Sequence, residues 1–305
     1  MEWTASSQMA REIMRNWESA SNVRVARNTS SWIKLTTLAA ICAMATFSQV
    51  RADPTIYGSA YSFSMGPSTL YNINPHTGAA TAIGPIGFNG VSAIDFSASG
   101  ILYGVGTTPG GVQYLITINP ATGAGTAVGA TGVDASDHFQ DIAFRHADNA
   151  LYGYEDGLIY TFNITTGVAT YLGDTGDGFP SGNGLAFSPF DTLYKADYAD
   201  LWTINQTTGV GTIAETMTYP TFGDEVNGMK FDTSTGVLWA SVRAADTSCY
   251  LATVDIDNGY VNEIGPTQSG LTAVGIAIAI IPEPGTFTLV GMGLVGLLTF
   301  RRRKK

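Results

Sequence analysis

Small polar and amide side chains recur at one position of a repeated pattern, and their types and spacing suit ligand binding. Each is followed by apolar residues at alternate positions, so the side chains of one repeat share a strand face. Either these groups bond the backbone where the strands begin, or they form a polar ring that holds a water, a cation or a sugar hydroxyl. The recurring residues are Ser92, Gln140, Asn183, Asn227 and Thr272.

Acidic residues are concentrated in the segments that lead into those strands. Carboxylates beside amide oxygens suit a hard cation such as Ca²⁺, which takes about six to eight oxygen ligands. The spacing matches no defined calcium loop, and a solvated acidic surface is the alternative. The acidic members of the candidate ligand-binding rim are Asp137, Asp141, Asp177, Asp224 and Glu225.

No set of residues with the pattern of a catalytic site stands out. The histidines are His76, His138 and His146, and His138 with Asp137 and Asp141 is the best acid–base candidate. No nucleophile or metal pattern accompanies it, and no glycine-rich phosphate loop lies between a strand and a helix. The sequence therefore predicts a protein that is not an enzyme and has no cofactor beyond a candidate Ca²⁺.

The elements that position these residues come from an internal repeat. The line Leu70-Tyr-Asn-Ile-Asn-Pro-His-Thr-Gly78 returns four times in modified form, at intervals of about 45 residues. Each copy places a Thr-Gly or Asn-Gly pair between two alternating apolar runs, which indicates a β-hairpin. The five hairpin glycines are Gly78, Gly123, Gly167, Gly209 and Gly259.

Two further strands fit between successive hairpins, so each repeat has four short strands, as a propeller blade does. Residues 56–58 supply a second strand without a first, and residues 271–276 supply a first strand without a second. We therefore expect an all-β fold, a β-propeller of five four-stranded blades over residues 53–280 that closes by pairing its two ends. A β-sandwich or an open β-solenoid is the alternative.

Charge is unevenly distributed along the chain. Residues 53–280 carry four basic side chains, Arg145, Lys195, Lys230 and Arg243, against 21 acidic ones, a net charge of −17. Such a body should repel nucleic acid and anionic membrane surfaces. Nucleic acid is therefore excluded as a partner.

The first 52 residues have the features of a signal peptide. Basic residues precede an apolar run over 35–47 that is too short for a comfortable membrane span, and Val50-Arg51-Ala52 suits cleavage before Asp53. This predicts a signal helix and passage through the Sec export machinery, with Met14 as a candidate true start. An uncleaved anchor or a buried helix is the alternative.

The end of the chain, residues 281–305, combines three signals in order. Pro282-Glu283-Pro284 precedes an apolar run over 287–300, and Arg301-Arg302-Arg303-Lys304-Lys305 follows it. The apolar run predicts a short transmembrane helix, and the basic block would hold the extreme end in the cytoplasm. A plain C-terminal anchor is the alternative.

This tail resembles the PEP-CTERM sorting tail of Gram-negative bacteria. The resemblance covers residues 282–305 and implies recognition by exosortase, a membrane enzyme, in organisms that make extracellular polysaccharide. It implies export across the inner membrane, anchoring through the C-terminal helix, and then a cell-surface or extracellular location. Pro282, Glu283 and Pro284 would be the sorting signal.

Three functions fit the sequence. The first is a surface or extracellular-matrix protein whose propeller binds a polysaccharide or another surface protein. The second is a secreted glycan hydrolase or lyase, which would need paired carboxylates roughly 5–10 Å apart. The third is a purely structural propeller stabilised by Ca²⁺.

Overall fold

A computed structural model describes residues 53–61, 66–134, 138–178, 183–267 and 273–279. All of them lie in the second of two compact units, Met1–Ala52 and Asp53–Lys305. The predicted signal region and sorting tail fall outside the described residues. Asp137 and Thr272 of the candidate rim also fall outside the described residues, so their membership in the rim stays a prediction. The exact limits of the domains stay predictions as well.

The described residues are all strand, turn or irregular, so the all-β prediction is confirmed for them. None of them forms a helix long and apolar enough to cross a membrane. The strands are β1 Thr55–Tyr61, β2 Pro67–Ile73, β3 Ala80–Phe96, β4 Leu102–Thr107, β5 Gln113–Ile118, β6 Gly125–Ala130, β7 Asp141–Phe144, β8 Leu151–Glu155, β9 Leu158–Phe162, β10 Ala169–Asp174, β11 Gly184–Phe187, β12 Leu193–Ala196, β13 Asp200–Ile204, β14 Gly211–Thr216, β15 Glu225–Phe231, β16 Leu238–Arg243, β17 Cys249–Val254, β18 Val261–Pro266 and β19 Ala273–Ala279.

These strands form antiparallel sheets of a propeller-like architecture. Three sheets have four strands each, in the orders β7-β8-β9-β10, β11-β12-β13-β14 and β15-β16-β17-β18. The fourth has seven strands in the order β19-β1-β2-β3-β4-β5-β6. It is larger because β3 is 17 residues long, pairing near its start with β2 and near its end with β4.

The two ends of the body meet in this seven-stranded sheet. β1 and β19 pair antiparallel over seven residues, from Thr55 opposite Ala279 to Tyr61 opposite Ala273. Ile56 and Ile278 are buried beside each other in one apolar cluster. The sequence-based expectation that the end strands share a sheet agrees with this pairing.

The repeated hairpin turn is built by one asparagine and one glycine. Asn205 shows the pattern: its side-chain oxygen accepts the backbone N–H groups of Thr207 and Thr208, at 2.9 and 3.1 Å. Gly209 follows with a φ of 76°, a conformation that disfavours residues with a Cβ. The Asn-x-x-x-Gly spacing of the repeat therefore encodes the turn itself.

Each hairpin glycine also lies against the backbone of the preceding repeat. A Cβ placed on Gly123 would lie 2.4 Å from the carbonyl oxygen of Gly84, closer than any real side chain allows. The same crowding occurs at all five hairpins, between Gly78 and Gly265, Gly123 and Gly84, Gly167 and Gly129, Gly209 and Gly173, and Gly259 and Thr216.

Aromatic pairs fill the space between neighbouring repeats. A tyrosine from the second strand of one repeat packs on a phenylalanine from the first strand of the next, with ring centroids 5.3–5.7 Å apart. Such pairs stabilise by about 0.5–1.5 kcal/mol beyond the area that they bury. The pairs are Tyr57 with Phe96, Tyr103 with Phe144, Tyr152 with Phe187 and Tyr194 with Phe231.

Candidate functional site

We call the first strand of each repeat, namely the second half of β3 and strands β7, β11, β15 and β19, the inner strands. Polar residues at the starts of these strands connect neighbouring sheets. The Ser92 hydroxyl donates to the carbonyl oxygen of Phe139 at 3.1 Å. Asn183 donates through Nδ2 to Oδ1 of Asn227 at 3.3 Å. Ser92 thus follows the backbone-bonding interpretation, while a ring that holds a ligand stays a prediction.

Two members of this set bear on ligand binding. Gln140 is held by Asp156, whose backbone N–H donates to Gln140 Oε1 at 3.0 Å. Asn227 is buried, and its Nδ2 has no hydrogen-bond partner among the described residues. That amide is therefore a donor that a water or a ligand oxygen could take.

Asp141 does not lie on a solvated rim. It is fully buried at the start of β7, and Lys230 Nζ, from near the end of β15, lies 2.7 and 2.8 Å from its two carboxylate oxygens. Asp141 Oδ2 also accepts the backbone N–H of Leu185 at 2.8 Å. One side chain thus joins the inner strands of three sheets.

Burial has the largest effect on the pKa of Asp141. Removal from water raises the pKa of Asp141 to about 7, against the lowering effect of Lys230. Asp95 is similarly buried, and burial raises its pKa as well. Its carboxylate accepts the backbone N–H groups of Phe96 at 2.8 Å and Phe144 at 2.7 Å.

Asp177 belongs to a second buried ionic cluster. Its carboxylate contacts the ammonium of Lys195, and Asp197 Oδ2 lies 3.8 Å from the same nitrogen. The aromatic rings of Tyr154 and Trp202 flank the ammonium, with centroids 4.9 and 5.9 Å away. The cluster seals the interface between the β7–β10 and β11–β14 sheets.

The carboxylates of Asp224 and Glu225 also bind other groups of the protein. Asp224 is buried and accepts the Tyr250 hydroxyl at 2.7 Å and the backbone N–H of Ala245 at 3.1 Å. Glu225 forms an ion pair with Arg243. The fourth basic residue of the body, Arg145, pairs with Asp148 at 2.6 Å, so every basic side chain between residues 53 and 280 is in an ion pair.

The expectation of a freely available acidic rim is therefore wrong for Asp141, Asp177 and Asp224, because their carboxylates are buried against lysine or tyrosine. The described residues contain no group of three or more acidic, histidine or cysteine side chains that could hold a metal. Ca²⁺ binding stays a prediction. Asp141 is committed to Lys230, which also removes it as the partner of His138 in an acid–base pair.

Lys195 and Lys230 are the residues that sequence reasoning did not single out. They are the body's only lysines, and both stand at strand positions where the other repeats carry small or acidic residues. A charged residue at a position that the repeat keeps small is a signal of a buried ion pair. That signal was present in the sequence.

Exposed aromatic side chains mark one surface beside these clusters. We call turn 197–199 and loop 217–224 the loop surface; Met217 N donates to Ala199 O at 2.6 Å and so holds the two segments together. Phe222 is 92% exposed there and Tyr198 is 36% exposed. Tyr219 is half-buried, with its hydroxyl donating to Asp197 O at 3.4 Å.

A family model for the PEP-CTERM protein-sorting motif matches residues 281–304. The sequence-based identification of the tail is confirmed, and the chain carries this sorting motif. The motif indicates export, anchoring by the C-terminal segment and processing by exosortase. No curated protein matches the sequence.

Solved structures of similar fold are propeller-like. A structure from the nidogen/laminin complex matches with a TM-score of 0.48 and 14% identity, covering 74% of this chain and 98% of that one. TolB from Acinetobacter baumannii matches with a TM-score of 0.47 and 10% identity, covering 81% of this chain and 62% of that one. A gluconolactonase from Xanthomonas campestris matches with a TM-score of 0.42 and 14% identity, covering 72% of this chain and 77% of that one.

The expectation that the chain is not an enzyme is corrected by these matches. They include the gluconolactonase and an aldose sugar dehydrogenase from Streptomyces coelicolor, which are enzymes. At 14% identity the likeness is one of fold, and it assigns no activity to this chain. Absence of a recognisable catalytic pattern in the sequence was too weak a basis for the statement.

Proposed function

We propose that this protein is an exosortase-sorted surface or extracellular-matrix protein of a Gram-negative bacterium, and that its loop surface binds extracellular polysaccharide. The sorting motif supports the export and the processing. The resemblance to such sorting tails implies an organism that makes extracellular polysaccharide, and this supports the polysaccharide as the ligand. Another surface protein is the alternative partner.

We further infer that the body is a ring of five blades. The N-terminal half of β3 would be the outer strand of a blade formed with β19, β1 and β2, and its C-terminal half would open the next blade. Support comes from the hairpin glycines, since each approaches the repeat before it and Gly78 approaches Gly265 of the last repeat. Pairing of β1 with β19 fits the same arrangement.

The observation that carries polysaccharide binding is the exposure of Phe222. A large aromatic ring that is 92% exposed gains little from folding, and it offers an apolar face on which a sugar ring can stack. Tyr198 adds a second ring on the loop surface, and the ion pair of Arg243 with Glu225 lies at the start of the adjacent strand β15. Aromatic faces with a few fixed polar groups are typical of ligand sites.

The test is binding of the purified protein to the extracellular polysaccharide secreted by the producing bacterium, measured by calorimetry. We expect saturable binding that Phe222→Ala weakens about tenfold, which corresponds to about 1.4 kcal/mol. Phe190→Ala is the matched control, because Phe190 is 91% exposed but lies in the turn at the other end of the inner strand β11. Equal affinities for both variants would refute the assignment to the loop surface.

A further inference from the structure

Lys195 breaks the internal repeat at a place where the repeat requires a small residue. It lies one residue after Tyr194, in the second strand of its repeat. The residues at the same position of the other repeats are Gly58, Gly104, Gly153 and Ala240. An extended charged side chain has therefore replaced a glycine or alanine.

A second departure from the repeat lies opposite the first. Asp177 follows Thr175-Gly176, at the position that Val133 holds after Thr131-Gly132 in the preceding repeat. Val133 packs against an apolar cluster, whereas Asp177 contacts Lys195. The interface between the two sheets has thus exchanged apolar contact for a lysine and a carboxylate at matching places.

The groups around Lys195 are shielded from water. Its side chain is 0% exposed, that of Asp177 is 3% exposed and that of Asp197 is 10% exposed. Tyr154 and Trp202 supply aromatic walls that keep water away from the ammonium.

The same cluster holds groups that suit proton transfer and oxyanion stabilisation. Tyr154 donates its hydroxyl to Asp177 Oδ2 at 3.3 Å, and burial raises the pKa of Tyr154, so it stays a donor. Asp197 lies 3.8 Å from Lys195 Nζ. It is fixed by the backbone N–H groups of Ala199 and Asp200 on Oδ1 and by the indole N–H of Trp202 on Oδ2.

We propose that Lys195 Nζ and Asp177 Cγ condense in the folded protein to form an intramolecular isopeptide bond. Lys195 Nζ is in contact with Oδ2 of Asp177, so it is also near Cγ, the carbon that it would attack. Reacting atoms need to be about 3–3.5 Å apart for bond formation. The C–N bond forms and one C–O bond of Asp177 breaks. Two of the three ammonium protons leave with that oxygen as water, and the third stays on the new amide.

Each neighbour has a defined role in this step. Asp197 takes the protons from Nζ one after the other and delivers them to the departing oxygen, ending unchanged. The Tyr154 hydroxyl stabilises the negative charge that develops on Oδ2. No oxidant, reductant or activated group is needed, because the reactants are one amine and one carboxyl.

Lys230 and Asp141 provide an internal comparison. Lys230 Nζ is 2.7 and 2.8 Å from the Asp141 oxygens, and it also donates to the carbonyl oxygens of Leu185 at 2.9 Å and Met229 at 2.8 Å. Among the described residues no second carboxylate lies within 4.0 Å of it. The ammonium is fully hydrogen-bonded and lacks a proton acceptor equivalent to Asp197, so we expect no isopeptide bond at this pair.

Trypsin digestion of the denatured full chain, isolated from the producing bacterium, tests the proposal by mass spectrometry. Trypsin cannot cut after an acylated lysine, and Asp177 and Lys195 lie in one tryptic segment. We expect a peptide over residues 146–230, uncut at Lys195, cut at Lys230 and lighter than its sequence by one water, about 18 Da. Separate peptides over 146–195 and 196–230 with unchanged masses would overturn the proposal.

Two variants separate the bond from a general resistance to trypsin. Asp197→Asn keeps the acceptor that caps the turn but cannot carry protons, and we expect cleavage at Lys195 and no loss of mass. Lys230→Arg removes the other lysine, and we expect the bond at Lys195 to persist. Near-ultraviolet circular dichroism confirms that each variant is folded, and a folded Asp197→Asn protein that still loses water would refute the role of Asp197.

Discussion

At the scale of single residues, the body uses its scarce positive charge in its interior. Lys230 joins Asp141 across the inner strands, and Lys195 lies among Asp177, Asp197 and two aromatic rings. Removing one partner of such a buried pair leaves an uncompensated charge and costs about 3–5 kcal/mol. The lysines therefore specify how neighbouring sheets align.

The buried carboxyl group of Asp141 predicts a pH dependence of the stability of the protein. Burial raises the folded-state pKa of Asp141 to about 7 from its usual 3.8. The folded chain then binds this proton more tightly than the unfolded chain does, so the contribution is complete below about pH 4 and is lost as the pH rises through about 7. We expect the urea midpoint to fall over that range.

Asp141→Asn cannot titrate and serves as the control for this effect. Its urea midpoint should change less between about pH 4 and about pH 7 than that of the unaltered chain. Burial also raises the pKa of Asp95, which will retain part of the slope in both proteins. A midpoint that rises with pH, equally in both proteins, would contradict the account.

At the scale of structural elements, one glycine in each hairpin meets two requirements: it adopts a positive φ, and it leaves no room for a Cβ. Gly123 has a φ of 83°, and a Cβ there would lie 2.4 Å from the carbonyl oxygen of Gly84 in β3. Gly87 has the same φ of 83°, but a Cβ there would meet nothing within 4 Å. The two positions separate the cost of backbone strain from the cost of crowding between repeats.

We expect Gly123→Ala to destabilise the protein more than Gly87→Ala does. Both lose the ease with which glycine adopts positive φ, roughly 1–3 kcal/mol, but only the first must also force its hairpin away from the backbone of β3. The measurement is the free energy of unfolding in urea for the two variants. Similar losses would mean that the hairpin glycines serve the turn and not the interface.

The repeat was predictable from the sequence because its signals are local. The asparagine and the glycine of each hairpin lie within a few residues, and the tyrosine and phenylalanine of each repeat hold fixed strand positions. The pairing of Asp141 with Lys230 was not predictable, because the two lie 89 residues apart and strand alternation does not show which residues meet across a ring. The acidic residues were therefore assigned to a rim when several belong to the interior.

At the scale of the whole molecule, the pairing of β1 with β19 determines whether the body behaves as one unit. β19 contributes Ile276 and Ile278 to an apolar cluster that also contains Ile56 and Leu251. Deleting residues 273–305 would expose that cluster and leave β1 with an unpaired edge. We expect loss of a single cooperative unfolding transition, and aggregation at concentrations where the unaltered chain stays in solution.

A chain shortened after residue 280 is the control for this deletion. It keeps β19 and removes only the sorting tail, so its thermal unfolding should match that of the intact body. Calorimetry of the two shortened proteins makes the comparison. Equal unfolding transitions in both would show that the stability of the body does not depend on the pairing of β1 with β19.

The central claim is that the sorted body binds extracellular polysaccharide. The direct measurement is titration of the purified protein with the producing bacterium's own polysaccharide, with and without Ca²⁺, followed by sizing of the recovered glycan. The account predicts saturable binding to polysaccharide that keeps its length, and a requirement for Ca²⁺ would assign the cation a role in that binding. An absence of binding, or polysaccharide that is shortened by the protein, would contradict it.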